Sequence, residues 1–190
     1  MSLRGLLVVV LGLALAGCAT GPVNTLSQDR RDALRIDTID VSFAPDAKVD
    51  WFDAQGGGPI DPVAQQAYLQ AKALGPIKAA LNAEIPPAFR GTAPATLKVH
   101  IRYVQIPATA TRIIIANIPY EIRADLEVVD NRTGRTLVAA SNFNGLARSF
   151  GGVAGILESA VAEDPILRVS KAFAHVLRAW LKTGQAQGMM

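Results

Sequence analysis

The sequence predicts an α+β fold: a two-layer sandwich in which a mostly antiparallel sheet of about four strands carries two main helices on one face, in the order β-α-β-β-β-α. Three observations lead there. Three stretches alternate apolar and polar residues, the period of a half-buried strand, a fourth returns after a hairpin turn, and two longer ones repeat apolar residues every three or four positions, the period of a helix. Each helical stretch opens on an Asp-Pro pair, Asp61-Pro62 and Asp164-Pro165, where the carboxylate caps and the proline suits the first turn. Every element has a single apolar face, so one sheet covered on one side by both helices buries them all.

The first strand is read over about 35–43, where Ile39, Val41 and Phe43 alternate with Asp40 and Ser42. Asp46 to Pro59 is expected as a loop, centred on Trp51-Phe52 and closing with Gly56-Gly57-Gly58-Pro59. The first helix then presents Val63, Ala67, Ala71, Leu74, Ile77, Leu81 and Ile85 on its apolar side. Gly75-Pro76 predicts a kink or a division into two short helices, and Pro86-Pro87 ends it. Leu97, Val99, Ile101 and Tyr103 mark a strand over about 95–106, and Tyr120, Ile122, Ala124, Leu126 and Val128 one over about 119–129. Asp130 to Gly134 is a hairpin turn, and Thr136 to Phe143 the returning strand. The first strand–helix–strand unit is expected to cross over right-handed. Ser149 to Gly155 reads as a loop followed by a short helical piece through Ala162. Ile166, Val169, Phe173, Val176 and Trp180 form the buried stripe of the last helix, which Gly184 stops.

The 190 residues are half hydrophobic and 18% charged, enough for one domain with a core and too few for two ordinary ones. This composition excludes a disordered chain, a coiled coil, collagen and a disulfide-stapled miniprotein. A net charge of +3 is too mild to indicate nucleic acid as a partner.

The N-terminus carries an address. Arg4 is the only charge before Asp29, an apolar run spans Leu6 to Leu15, and Leu15-Ala16-Gly17-Cys18 has the form of a bacterial lipobox. A membrane span would need about 20 apolar residues, and Gly5 to Ala19 offers fifteen. Residues 1–17 are read as a lipoprotein signal peptide, Cys18 as the lipidated residue, 18–33 as the tether, 34–183 as one domain and 184–190 as a loose tail. Cys18 is the only cysteine, and acylation removes it from disulfide chemistry, so packing must supply the stability. Two or three acyl chains hold firmly where one would not. Alanine at position 19 points to the outer membrane, with the domain facing the periplasm. The segment from Ala19 to Asn24 reaches at most about 20 Å, so the domain sits close to the bilayer.

No catalytic, metal or cofactor constellation stands out. The two histidines, His100 on a strand between Lys98 and Arg102 and His175 on the polar side of a helix, have no Gly-x-Ser-x-Gly elbow or free cysteine to serve. No zinc or EF-hand spacing occurs, and the Gly56–Gly58 run lacks the Lys-Ser/Thr of a phosphate loop. Two segments are candidate contacts. Arg112, Ile113, Ile114 and Ile115 lie between two strands, either as an extension of the sheet or as an exposed apolar tip that meets a partner or a lipid. Arg168, Lys171, His175, Arg178 and Lys182 form an all-basic polar side of the last helix, either a solvated face or a surface for anionic headgroups or an acidic partner.

The lipobox, the strand at Ile39–Phe43, the strand at Thr96–Gln105, the hairpin Val128-Val129-Asp130-Asn131-Arg132-Thr133-Gly134, and the Gly-containing loop before Asp164-Pro165 together resemble small Gram-negative lipoproteins, especially alphaproteobacterial ones. Their layout is similar to TolB N-terminal regions and to auxiliary lipoproteins of envelope transport systems. The resemblance spans most of 34–182, carries over no functional residue besides Cys18, and implies a non-enzymatic envelope role. The expected function is a membrane-anchored, non-catalytic accessory subunit of an envelope assembly or transport system. The alternative is a subunit of an oligomeric secretion channel or ring, and a periplasmic hydrolase ranks third.

Overall fold

The structure, a computed structural model, describes residues 22–56, 58–108, 111, 118–147 and 164–185. The elements are α1 (Gln28–Ala33), β1 (Leu34–Trp51), α2 (Phe52–Gln55), α3 (Pro62–Glu84), a 3-10 turn (Pro86–Ala88), β2 (Ala93–Ile106), β3 (Tyr120–Asp130), β4 (Thr136–Ala147) and α4 (Pro165–Thr183). The sheet order is β1-β2-β3-β4, with β1 and β2 parallel and the other two pairs antiparallel. Helix α3 makes the crossover that a parallel pair requires. It packs on β1 and on α4, and α4 packs on β4 and β3, so the fold is the two-layer α+β arrangement expected. The expected loop and helical piece over 149–162 lie outside the described residues.

Both Asp-Pro starts cap as predicted: Asp61 accepts from the Ala64 amide at 2.9 Å and Asp164 from the Ile166 amide at 3.2 Å. Gly184 takes the left-handed conformation (φ 83°) that ends α4, returning its amide to the Trp180 carbonyl. All five residues of the expected α4 stripe are buried.

Helix α3 differs from expectation in two ways. It is one helix of 23 residues running through Pro76. The glycine before the proline has no Cβ to meet the pyrrolidine ring, which eases the helical conformation there. Its buried row is Leu69, Ala73, Ile77 and Leu81, continued by Ile85, and Val63, Ala67 and Ala71 are exposed. Spacing by four from Ile85 backwards selects the row that meets the sheet, and the first two turns extend past it.

The strands are longer than their alternation suggests because register shifts interrupt it. β1 continues through the expected loop to Trp51, with shifts between Ile36 and Thr38 and between Phe43 and Lys48. After the second shift Val49 and Trp51 turn into the core. Gln66 of α3 then clamps this edge, accepting from the Val49 amide at 2.9 Å and donating to its carbonyl at 3.3 Å. On β2 the pairing passes from Ile101–Ala124 to Tyr103–Arg123, leaving Arg102 as the extra residue. The slip moves Val104 and Ile106 inward and Tyr103 out of the core, contrary to the stripe expected. β4 extends to Ala147, and Gly145 on it lies against the Phe173 backbone of α4.

The segment before β1 is more than a tether. Asn24 and Leu26 are buried, and Gln28–Ala33 is helical. The Asn24 amide donates to the Gly184 carbonyl at 3.0 Å, and the Trp180 indole donates to the Pro22 carbonyl at 2.6 Å. The incoming chain is thereby fastened to the end of the last helix.

Candidate functional site

The helices cover one face of the sheet, and among the described residues the other face is open and polar. From β2 it presents Lys98, His100, Arg102 and Tyr103, flanked by Ser42, Asp46 and Asp50 of β1 and by Glu121, Arg123, Asp125 and Glu127 of β3. The basic residues here are paired. Lys98 lies 3.3 Å from Glu127, and Arg102 lies 3.0 Å from Asp46 and 3.6 Å from Asp125. Arg123 makes a two-pronged pair with Glu121 at 2.6 and 2.9 Å. Its guanidinium also stacks 5.2 Å over the Tyr103 ring. The Tyr103 hydroxyl donates to Asp50 at 2.9 Å. Burial first, then that carboxylate, pushes the phenol up to about 12, so it stays a donor across the physiological range. The Thr136 hydroxyl donates to Glu127 and holds that carboxyl below its ordinary value, with Lys98 adding to the effect.

This face holds one pair of groups that nucleophilic chemistry uses: Ser42 Oγ and His100 Nδ1 are 2.9 Å apart. The third group is elsewhere. Asp125, opposite His100 in register, accepts from the Asn142 amide at 2.8 Å and faces Arg102. Among the described residues no carboxylate is within ion-pair distance of His100. His175 faces Glu84 of α3 at 3.4 Å. Among the described residues no group of three or more His, Cys, Asp or Glu is placed to hold a metal ion.

The basic side of α4 runs the length of that helix, from one end of the sheet to the other. Arg168 stacks 5.8 Å from the Tyr120 ring, Arg178 pairs with Glu84 at 3.1 Å, and Lys182 sits 5.9 Å from the Phe89 ring. Arg168, Lys171 and His175 rim a groove of about 820 Å³ whose walls include Ala79, Ala80 and Ala83 of α3, Leu146 of β4 and Leu167 of α4. The four residues Arg112, Ile113, Ile114 and Ile115 lie outside the described residues, as does Cys18. Among the described residues no helix is long and apolar enough to cross a membrane.

Sequence reasoning missed the seam that joins Pro22 and Asn24 to Trp180 and Gly184. The proline and asparagine carry no period, and their partners lie more than 150 residues away. It also passed over Asp130 as anything more than a turn residue. The Asp130 carboxylate accepts from the Arg132 amide at 2.7 Å and the Thr133 amide at 3.0 Å, and those amides hold its pKa below the ordinary value. A depressed folded-state pKa contributes stability above the unfolded value, and the contribution is lost as pH falls through the folded one. The urea midpoint of wild type should therefore exceed that of Asp130→Asn at about pH 6, and the gap should narrow below about pH 3. A gap that widens on acidification would contradict this account of the turn.

No protein-family model matches the chain, and no curated protein matches it. Solved structures do. A candidate lipoprotein from Caulobacter crescentus CB15 is similar at 13% identity and a TM-score of 0.37, over 59% of this chain and 82% of that one. A PelC dodecamer from Paraburkholderia phytofirmans is similar at 12% identity and a TM-score of 0.35, over 88% of this chain and 96% of that one. A substituted form of the same PelC dodecamer gives 12% identity and a TM-score of 0.34, over 89% and 96%. At these scores the likeness carries no inference about what this chain binds.

Proposed function

We propose that the chain is a lipid-anchored protein of the cell envelope, facing the periplasm from the outer membrane, whose domain works as a non-catalytic binding or accessory subunit of an envelope assembly or transport system. The observation that carries this reading is the position of Cys18 relative to the seam. Only Ala19, Thr20 and Gly21 separate the lipobox cysteine from Pro22, whose carbonyl is already bonded to Trp180. That interval spans at most about 14 Å in any conformation. A lipid on Cys18 would then hold a folded domain against the bilayer on a short, fixed lead. The open sheet face, rich in paired charges and set on a stiff four-stranded support, is suited to a protein partner, since buried or paired charges at an interface favour specificity over strength. Ser42 and His100 without an orienting carboxylate argue against hydrolysis as the task.

The test is made in cells. Labelled palmitate should enter the full chain, and Cys18→Ser should abolish the label and leave the precursor unprocessed. An unlabelled wild-type protein free in the periplasm would end the anchor reading. A photo-crosslinking residue at Arg102 or Asn144 on the open face should capture one envelope protein reproducibly. Native mass spectrometry of the detergent extract showing only a closed ring of this chain would favour the channel-subunit alternative instead.

A further inference from the structure

The segments around the seam form one end of the domain. The Gly91 amide donates to the Leu34 carbonyl at 2.8 Å, the Asn131 amide to the Pro94 carbonyl at 3.0 Å, Arg132 to the Thr92 carbonyl at 3.2 Å, and Arg31 Nε to the Lys182 carbonyl at 3.1 Å. The start of β1, the entry to β2, the β3–β4 turn and the last turn of α4 therefore lie together, beside Pro22. This end bears Arg30, Arg31, Arg90, Arg132, Arg135 and Lys182. Among the described residues none of these six has a carboxylate within ion-pair distance, in contrast to Lys98, Arg102 and Arg123 on the open face. All but Arg31 are exposed.

The acids at the same end, Asp29, Asp32, Asp37 and Asp130, are outnumbered by its cations. Asp37 is paired with Arg35 at 2.8 Å, Asp130 is turned into its own loop, and Asp32 accepts from Gln28 at 2.8 Å. Near the end of β1 and the starts of α3, β3 and α4 the described charges are mixed: Asp46 and Glu121 pair with Arg102 and Arg123, and Asp50, Asp53, Asp61 and Asp164 stand with Lys48, Lys72 and Arg168. Among the described residues, six cations without a carboxylate partner thus gather at the end where the chain arrives from Cys18. At the basic end a hollow of about 210 Å³ is lined by Arg31, Arg90 and Lys182 beside Phe89, with Gln28 and the Asp32 carboxylate also on its wall. Three cations against the one Asp32 carboxylate, beside an aromatic ring, suit a phosphate-bearing group.

We infer that this basic end rests on anionic phospholipid headgroups of the membrane that holds the anchor, with phosphate seated among Arg31, Arg90 and Lys182. The strands then stand up from the bilayer, and the starts of α3, β3 and α4 and the open sheet face are held away from it. The inference rests on the lipid-anchor reading above. Of the four cations Arg168, Lys171, Arg178 and Lys182 on α4, Lys182 belongs to this end, and Arg168 lies near the opposite one. A surface within a Debye length, about 8–10 Å, is felt by each exposed cation, and the lead from Cys18 brings the basic end inside that range.

The test uses the lipidated full chain. Cys18 is its only cysteine and is acylated, so a second, introduced cysteine takes a fluorophore alone. Thr133→Cys places it in the β3–β4 turn, and Ile60→Cys at the far end, roughly 40 Å away by strand length. In vesicles of phosphatidylcholine with phosphatidylglycerol, energy transfer to a headgroup acceptor should be strong from position 133 and weak from position 60. In phosphatidylcholine alone, or with Arg30→Gln, Arg90→Gln, Arg135→Gln and Lys182→Gln combined, the difference should shrink. Equal transfer from both positions in anionic vesicles would overturn the inference. Flotation of the same vesicles scores the anchor separately: protein that does not float refutes the lipid-anchor reading, and protein that floats without orientation refutes only this one. As a second measure, the mature chain with Cys18→Ser should bind anionic vesicles at least about tenfold more tightly than the fourfold variant does. Equal binding by the two, or preference for an acidic polypeptide over the vesicles, counts against a headgroup site. Circular dichroism of the fourfold variant, whose changes are all at exposed positions, checks that it remains folded.

Discussion

Trp180→Ala should cost about 3–5 kcal/mol of stability, a large part of what a domain of this size has. The ring is fully buried, packs edge-on against Phe143 at 5.5 Å, and is the last large residue of the α4 stripe. Removing it opens a cavity where α4 meets β4. It also strips the Pro22 carbonyl of its donor and loosens the carbonyl–amide seam at Gly184. Two effects should then appear together: a lower urea midpoint, and faster hydrogen exchange at Asn24 and Leu26. Trp180→Phe separates them, because it keeps most of the volume and loses the indole N–H. Its stability loss should be nearer 1–2 kcal/mol, with the exchange at Asn24 still raised. A Trp180→Ala chain as stable as Trp180→Phe would show that this tryptophan is not a packing element.

Gly145→Val should be comparably damaging by the opposite route. A Cβ built at Gly145 would stand 2.7 Å from the Phe173 Cα and 2.9 Å from its Cβ, and the helix backbone has no room to yield. The substitution forces α4 off the sheet along the line where Phe143 and Phe173 interlock, 6.0 Å between ring centres. About 3 kcal/mol or more should be lost. Gly56→Ala is the matched control. Nothing lies within 4 Å of the Cβ it would add, and its change should stay within about 0.5 kcal/mol. Thermal denaturation of both variants reads the difference. A Gly145→Val chain that melts with Gly56→Ala would mean the close approach of α4 to β4 is not a constraint.

These two residues also mark where reading along the chain succeeds and where it stops. Trp180 is legible as core because it completes a helical stripe bounded by an aspartate cap and a glycine stop. Gly145 is not legible, because its requirement is set by Phe173, twenty-eight residues later and on another element. The same division runs through the elements. β3 alternates without a break from Tyr120 to Val128 and matches its expected span closely. β1 hides its second half behind two register shifts, and β2 turns Tyr103 outward at Arg102. A shift depends on what the neighbouring strand offers, and period counting has no access to that. On α3, two overlapping apolar rows were available, and the sheet selected the one through Leu69 and Leu81.

The candidate surfaces divide in the same manner. The proposed lipobox at Leu15–Cys18 is a local pattern and needs no fold to be read. The basic end is composed of side chains drawn from positions 30 to 182, none of which forms a run longer than Arg30-Arg31. Sequence alone determined the class of the fold and the helix limits set by Asp61, Asp164 and Gly184, and it alone carries the proposed address at Cys18, because period, capping and peptidase recognition all act over a few neighbouring residues. Tertiary structure decided which face of α3 is buried, how far the edge strands run, where the incoming chain is fastened, and which cations share an end, because each of these is settled by contacts between residues far apart in the chain.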